Sequence, residues 1–222
     1  MTKTEVCARI AEIGILPAAR VSAEGDARFA AEVIYRCGIP VIEITMTVPG
    51  AIEVIAHVAK TLPDMVVGAG TVLDTETARR CLDAGAKFIT STGLVMDVVE
   101  FAVKNGIAVM PGAMTPSEVI AAWRAGGDFV KIFPCAQLGG PDYIRALKVP
   151  LPKIKLIATG GVNQQTAARF IVAGASVIGI GGELMPPEAL RKRNEGWVNE
   201  LTRRYLALVK EGRALREGGQ QR

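Results

Sequence analysis

The chain has 222 residues, of which 50% are hydrophobic, 22% charged and 5% aromatic. This excludes intrinsic disorder, because so apolar a chain buries enough surface to offset its ordering entropy. The formal charge is +4, but nine Lys/Arg face five Asp/Glu from Glu188 onward and the residues before balance at seventeen of each. A solvated helix face accounts for that local excess better than a nucleic-acid surface does.

The N-terminal MTKTEVCARIAEIG carries an acidic residue and no long apolar core, so it reads as a helix and not as a signal peptide. No apolar run reaches the roughly 18 residues of a membrane span. Cys7, Cys37, Cys81 and Cys135 lack C-x-x-C spacing, which points away from a zinc site or a disulfide framework. The expectation is a reduced, cytoplasmic protein with no membrane or nucleic-acid partner.

One small unit then recurs: an apolar-periodic helix, a glycine, two or three residues, and a short apolar strand. It is visible in AEVIYRCGIPVIEI, ARRCLDAGAKFITS, VEFAVKNGIAVMPG, VIAAWRAGGDFVKI and AARFIVAGASVIGI, with glycines at 38, 85, 106, 126 and 174. Glycine just past a helix is the usual left-handed stop. The spacings are 47, 21, 20 and 48 residues, so each long gap hides one further unit. With those units and the opening ILPAARV, eight strands are predicted: 15–21, 41–47, 66–72, 88–91, 108–114, 129–134, 155–161 and 177–182. Eight alternating β and α units closing near residue 220 predict a single-domain (β/α)₈ TIM barrel over 1–216, with an extra N-terminal helix, a long C-terminal helix and a frayed polar tail at 217–222. A doubly wound open sheet is the alternative, but it usually has five or six strands. Trp197, Leu201, Tyr205 and Leu208 recur at helical spacing and mark a stripe packed on the barrel or on a neighbouring subunit.

Strand alternation turns Ile42, Ile44 and Met46 toward the helix layer and Glu43, Thr45 and Thr47 inward. By the same alternation Phe129, Lys131 and Phe133 point inward. A structural barrel interior would hold Val, Ile and Leu, yet here a carboxylate and an ammonium enter it. One reading is a structural ion pair, although such pairs are often replaceable by apolar residues at no loss. The other is a nucleophilic lysine, kept neutral by its partly desolvated surroundings, with a carboxylate proton shuttle. His57, the only histidine, lies in AIEVIAHVAKTLP on an outer helix and suits packing. Cys135 follows the lysine strand and also suits packing. Without a His/Cys/carboxylate cluster no metal is implied.

Five motifs run in order along nearly the whole chain: IEITMTVPGA, VGAGTVL, MPGAMTPSE, FVKIFP and TGGVN. Together they resemble the 2-keto-3-deoxy-6-phosphogluconate / 4-hydroxy-2-oxoglutarate aldolase family. The resemblance implies a class I aldolase without metal or cofactor on a (β/α)₈ barrel, commonly a homotrimer, serving the Entner–Doudoroff type of sugar-acid breakdown. It implies Lys131 as the Schiff-base lysine, Glu43 as the general acid/base, Thr71 as a pyruvyl-binding residue and Phe133 as a wall of the site. Where some members carry a carboxylate-binding arginine four residues after the glutamate, this chain has Thr47; Arg20 matches the arginine that others place at the end of the first strand. Ser91-Thr92 stands where many members have Ser-Pro. Gly160-Gly161 and Gly181-Gly182 end the last two strands, where barrel loops often bind phosphate through backbone N–H groups, and tight turns alone would also need glycine. Glu183 opposes a phosphate if it faces that pocket; if it faces solvent, it is a first-turn residue favouring a helix N-terminus. Two other classes remain: a phosphate-binding epimerase or isomerase with Lys131 as a charge clamp, and a non-catalytic oligomeric scaffold.

Overall fold

A computed structural model describes residues 1–220. The chain opens with α1 (Lys3–Ile13), started by a capping box in which Thr2 and Glu5 satisfy each other's backbone N–H groups and stopped by Gly14 in the left-handed conformation. The strands are β1 (Ile15–Ala19), β2 (Val41–Thr45), β3 (Val66–Gly70), β4 (Phe88–Thr90), β5 (Ala108–Met110), β6 (Gly112–Ala113), β7 (Val130–Ile132), β8 (Leu156–Thr159) and β9 (Val177–Ile180). Between them lie α2 (Glu24–Arg36), α3 (Ala51–Thr61), α4 (Thr75–Asp83), α5 (Met96–Lys104), α6 (Pro116–Arg124), α7 (Pro141–Lys148) and α8 (Ala167–Val172). After β9 come α9 (Pro187–Arg191) and α10 (Glu195–Gln220).

All eight strand pairings are parallel, in the order β5-β4-β3-β2-β1-β9-β8-β7-β6. The two ends of that order are one run of chain. Pro111 lacks an N–H and divides residues 108–113 into β5, which pairs with β4, and β6, which pairs with β7. The sheet is therefore the expected eight-stranded barrel, counted as nine segments. The strands end one or two residues short of the predicted limits, because residues such as Arg20, Met46, Thr47 and Thr71 leave the strands to enter the loops at their C-terminal ends. Those loops are where barrel chemistry is built.

Burial follows the barrel logic: every residue of β2 and β3 is buried, one set under helices and the other inside. The interior is filled across strands. Gly68 on β3 leaves the space that the Phe88 ring occupies. The long helix α10 buries Val198, Leu201, Thr202, Tyr205 and Val209. The buried stripe thus differs from the one expected: Trp197 is 40% exposed, one position out of phase with Val198. The helix also continues through Gln220, so 217–220 are helical and not a frayed tail, while Gln221 and Arg222 lie outside the described residues. Arg213 on α10 donates to the carbonyls of Ala11 and Glu12, satisfying the end of α1. No described helix is long and apolar enough to cross a membrane.

Because a Cβ at Gly68 would overlap the Phe88 ring, Gly68→Ala should destabilise the fold by about 1–3 kcal/mol, as overpacked cores do. Urea denaturation measures it; a loss below about 0.5 kcal/mol would show that the ring can yield.

Candidate active site

Lys131 on β7 and Glu43 on β2 meet inside the barrel, 3% and 1% exposed, with Nζ 3.4 Å from Oε1. The approach depends on an absence. Gly70 on the neighbouring β3 has no side chain, and a Cβ there would occupy the position of the Glu43 carboxylate. A second partner was not foreseen: Thr90, at the end of β4 and fully buried, sets its Oγ1 3.2 Å from Lys131 Nζ. Its signal was present in strand alternation, since Thr90 lies two residues after Phe88 and so shares its inward face. Nζ has no third protein partner among the described residues. Thr45, the next inward position on β2, is occupied structurally: its hydroxyl donates to Ala19 O and bonds the Thr47 hydroxyl.

Above the pair opens a cavity of about 540 Å³ to which both Lys131 and Glu43 contribute. Arg20 and Phe133 line it, with the Lys131 Nζ 6.0 Å from the Phe133 ring centroid. Gly160, Gly161, Gly181, Gly182 and Glu183, on the loops after β8 and β9, line it as well. Thr159, Val162 and Asn163, which the sequence marks only as part of the TGGVN motif, also line it. Thr159 Oγ1 is buried without a partner among the described residues, whereas the Asn163 side chain is used to hold the Gln165 and Thr166 N–H groups. Thr71 does not line this cavity. It sits one residue past β3 at φ 60°, a strained conformation for a β-branched residue, and its Oγ1 is buried without a partner among the described residues.

The two glycine pairs separate on geometry. Gly160 and Gly161 have φ of 87° and 85°, and a Cβ at either would press on Pro134 or Ala136, so the turn itself requires them. At Gly181 and Gly182 φ is ordinary and a Cβ would meet nothing nearer than 3.3 Å. Their smallness leaves backbone open to the cavity. Glu183 is exposed and belongs to a turn in which the Leu184 and Met185 N–H groups donate to Gly181 O. It is not a first-turn helix residue, because α9 begins at Pro187. Glu183 pairs with no cation among the described residues, and its charge, after burial itself, pushes the buried Tyr205 phenol up to about 12.

The remaining residues take structural places. Cys135 is fully buried with Sγ 3.2 Å from Gly160 O, and burial pushes its thiol up to about 12. His57 is half-buried between α2 and α3, its Nδ1 3.5 Å from an Arg28 nitrogen. Ser91 donates to Gly93 O, and the Thr92 backbone lies against Gly112, where a Cβ would collide with it. No group of three or more His, Cys, Asp or Glu among the described residues is placed to hold a metal.

The chain is similar to known proteins along most of its length. The family model described as KDPG and KHG aldolase matches residues 6–201. The 2-dehydro-3-deoxy-phosphogluconate aldolase of Pseudomonas aeruginosa is 32% identical over 204 residues, covering 91% of this chain and 92% of the relative. The KHG/KDPG aldolase of Escherichia coli is 31% identical over 174 residues, 78% of this chain and 81% of the relative. Among solved structures, Legionella pneumophila KDPG aldolase with pyruvate captured as a covalent carbinolamine aligns with a TM-score of 0.82 at 29% identity, covering 89% of this chain and 96% of that one. A porous protein cage designed by fusing symmetric oligomeric domains aligns with a TM-score of 0.82 at 26% identity, covering 93% of this chain and 76% of that one. With a match over nearly the full barrel and a buried lysine–glutamate pair at its centre, the chain belongs to the KDPG and KHG aldolase family.

Proposed function

We propose that the protein is a class I aldolase that cleaves a 2-keto-4-hydroxy acid to pyruvate and an aldehyde. The observation that carries this reading is the amine of Lys131, buried beside a single carboxylate and opening onto a cavity with an arginine at its rim. Arg20 supplies the positive charge for the substrate carboxylate, and the Thr71 hydroxyl, without a partner among the described residues, supplies a further donor. Proton transfer from the Lys131 ammonium to Glu43 frees the amine, which attacks the C2 ketone to give a carbinolamine. Glu43 hands a proton to the C2 hydroxyl, which leaves as water, and the nitrogen lone pair forms the iminium. Glu43, now a carboxylate, takes the C4 hydroxyl proton as the C3–C4 bond breaks, and the bonding electrons move into the iminium to give an enamine. The aldehyde departs, C3 is reprotonated, and hydrolysis of the iminium frees pyruvate and Lys131.

Incubation with pyruvate and borohydride should add one pyruvyl-derived group, located at Lys131 by peptide mass mapping. Lys131→Ala should abolish both trapping and cleavage. Glu43→Gln should bind pyruvate yet lose turnover by about 10²–10⁴-fold, the usual share of a general acid/base. Near-wild-type turnover by Lys131→Ala would falsify the Schiff-base assignment, and a wild-type protein that is neither trapped nor cleaves would favour an isomerase-type barrel in which the lysine is only a charge clamp.

On the loop after β9 the substrate meets the open Gly181-Gly182 backbone and the carboxylate of Glu183. Glu183 opposes a terminal phosphate, so the unphosphorylated analogue is turned over at least as well as 2-keto-3-deoxy-6-phosphogluconate. Replacing it by serine should raise kcat/KM for the 6-phosphate by about tenfold, less in high salt, because exposed charges are screened. The same variant should leave 4-hydroxy-2-oxoglutarate within about threefold. Equal effects on both substrates would show that the carboxylate does not sense the phosphate.

The enzyme works in the reducing cytoplasm as a homotrimer; the four free cysteines support the first statement and the family resemblance the second. Analytical ultracentrifugation should give a species of about three times 23.5 kDa, and a single-chain mass at micromolar concentration would refute it.

A further inference from the structure

Three side chains meet at the Lys131 nitrogen, but only two of them face the cavity. Lys131 and Glu43 line it, and Thr90 does not. Thr90 is fully buried on β4, and its Oγ1 is 3.2 Å from Nζ, against 3.4 Å for Glu43 Oε1. The Thr90 hydroxyl makes no other hydrogen bond among the described residues. It therefore reaches the nitrogen and nothing that a substrate could present.

A hydroxyl can both accept and donate, and this matters at an atom whose protons change in number. Toward an ammonium it accepts; toward the lone pair of a free amine it donates; toward an iminium N–H it accepts again. An ionised carboxylate only accepts. The iminium is the demanding state, and here the inference rests on the aldolase reading above. When the carbinolamine hydroxyl leaves as water, the nitrogen lone pair becomes the second C=N bond and the nitrogen keeps one hydrogen and the positive charge. That hydrogen lies in the plane of the C=N unit. Its acceptor consequently fixes how the plane is turned and which face of C3 is offered to Glu43. If Glu43 were that acceptor, the carboxylate would be tied to nitrogen when it is needed at the C4 hydroxyl and at C3.

We propose that Thr90 is the positioning residue of the Schiff base: its hydroxyl holds the single N–H of the Lys131 iminium on the side away from the cavity and leaves Glu43 free to carry protons on the cavity side.

The test uses pyruvate alone, so it does not depend on which aldehyde the enzyme releases. Exchange of the pyruvate C3 hydrogens in D₂O, followed by NMR, reports passage through iminium and enamine, and borohydride trapping reports the iminium itself. Thr90→Val removes the hydroxyl at nearly constant shape, and Thr90→Ser keeps it. Thr90→Val should lower the maximal exchange rate by roughly ten- to a hundredfold, the loss of one hydrogen bond to a charged group. Its half-saturating pyruvate concentration should stay within about threefold of wild type, and Thr90→Ser should exchange within about threefold of wild type. Wild-type exchange by Thr90→Val would overturn the proposal, as would a loss confined to pyruvate affinity or a serine variant as slow as the valine one. Should Thr90→Val not fold, Thr90→Ala is judged by the same criteria. A wild-type protein that neither exchanges nor is trapped would overturn the aldolase reading and this inference with it; wild-type trapping with an unimpaired Thr90→Val variant overturns the inference alone.

Discussion

Withdrawing an ammonium and a carboxylate from water costs several kcal/mol per ion, and their attraction offsets this only with good geometry and further hydrogen bonds. Lys131 and Glu43 meet that condition narrowly: a 3.4 Å contact, one threonine hydroxyl, and a glycine that makes room. Much of the barrel interior is arranged around them. Gly70 is small because the carboxylate lies across it, and Gly68 two residues earlier is small because the Phe88 ring fills the layer below. On β4, Phe88 and Thr90 occupy successive inward positions, one closing the interior and the other touching the amine. An apolar interior would be easier to stabilise, so the retained pair is a cost that a chemical role explains.

The rim of the cavity follows a different rule from its floor. At the floor each charge has a protein partner; at the rim Arg20 and Glu183 stand on the loops after β1 and β9, adjacent strands, without forming an ion pair with each other. Charges at a mouth that have no protein partner among the described residues are available to a ligand. The glycine turns divide in the same way. Gly160 and Gly161 serve the chain, whereas Gly181 and Gly182 expose it.

Much of this was legible in the sequence because barrels are periodic. The recurring helix–glycine–strand unit announces the number of strands, and the alternation within VIEITMT and FVKIFP announces that Glu43 and Lys131 share an interior. What stayed hidden was geometry with no period. That Glu183 lies in a turn depends on where α9 starts, and the Pro187 that starts it sits four residues on, beyond a turn closed on Gly181. Trp197 belongs to the apolar pattern by type, but the helix phase is set by Val198 and Tyr205, which are buried to 0%. Thr71 matches its family motif in sequence, but its left-handed backbone and its buried hydroxyl without a partner among the described residues have no signature there. Thr90 was overlooked for a simpler reason: a lone threonine in a short strand looks like ordinary β-propensity, and only its distance from Nζ distinguishes it.

Pro111 gives the barrel a consequence beyond the interrupted ladder. Strands β1 to β5 pair among themselves, β6 to β9 do likewise, and the proline is the covalent joint between them. The halves meet through the β1–β9 pairing on one side; on the other, Pro111 O accepts from Lys131 N at 2.9 Å and Gly93 O from Gly112 N at 3.2 Å. Glu43 and Thr90 belong to the first half and Lys131 to the second. The reactive amine is thus assembled at the junction of two half-barrels, and its hydrogen-bond partners exist only while that junction is closed. A shift of one half against the other would separate the amine from both of its partners without breaking a strand pairing inside either half.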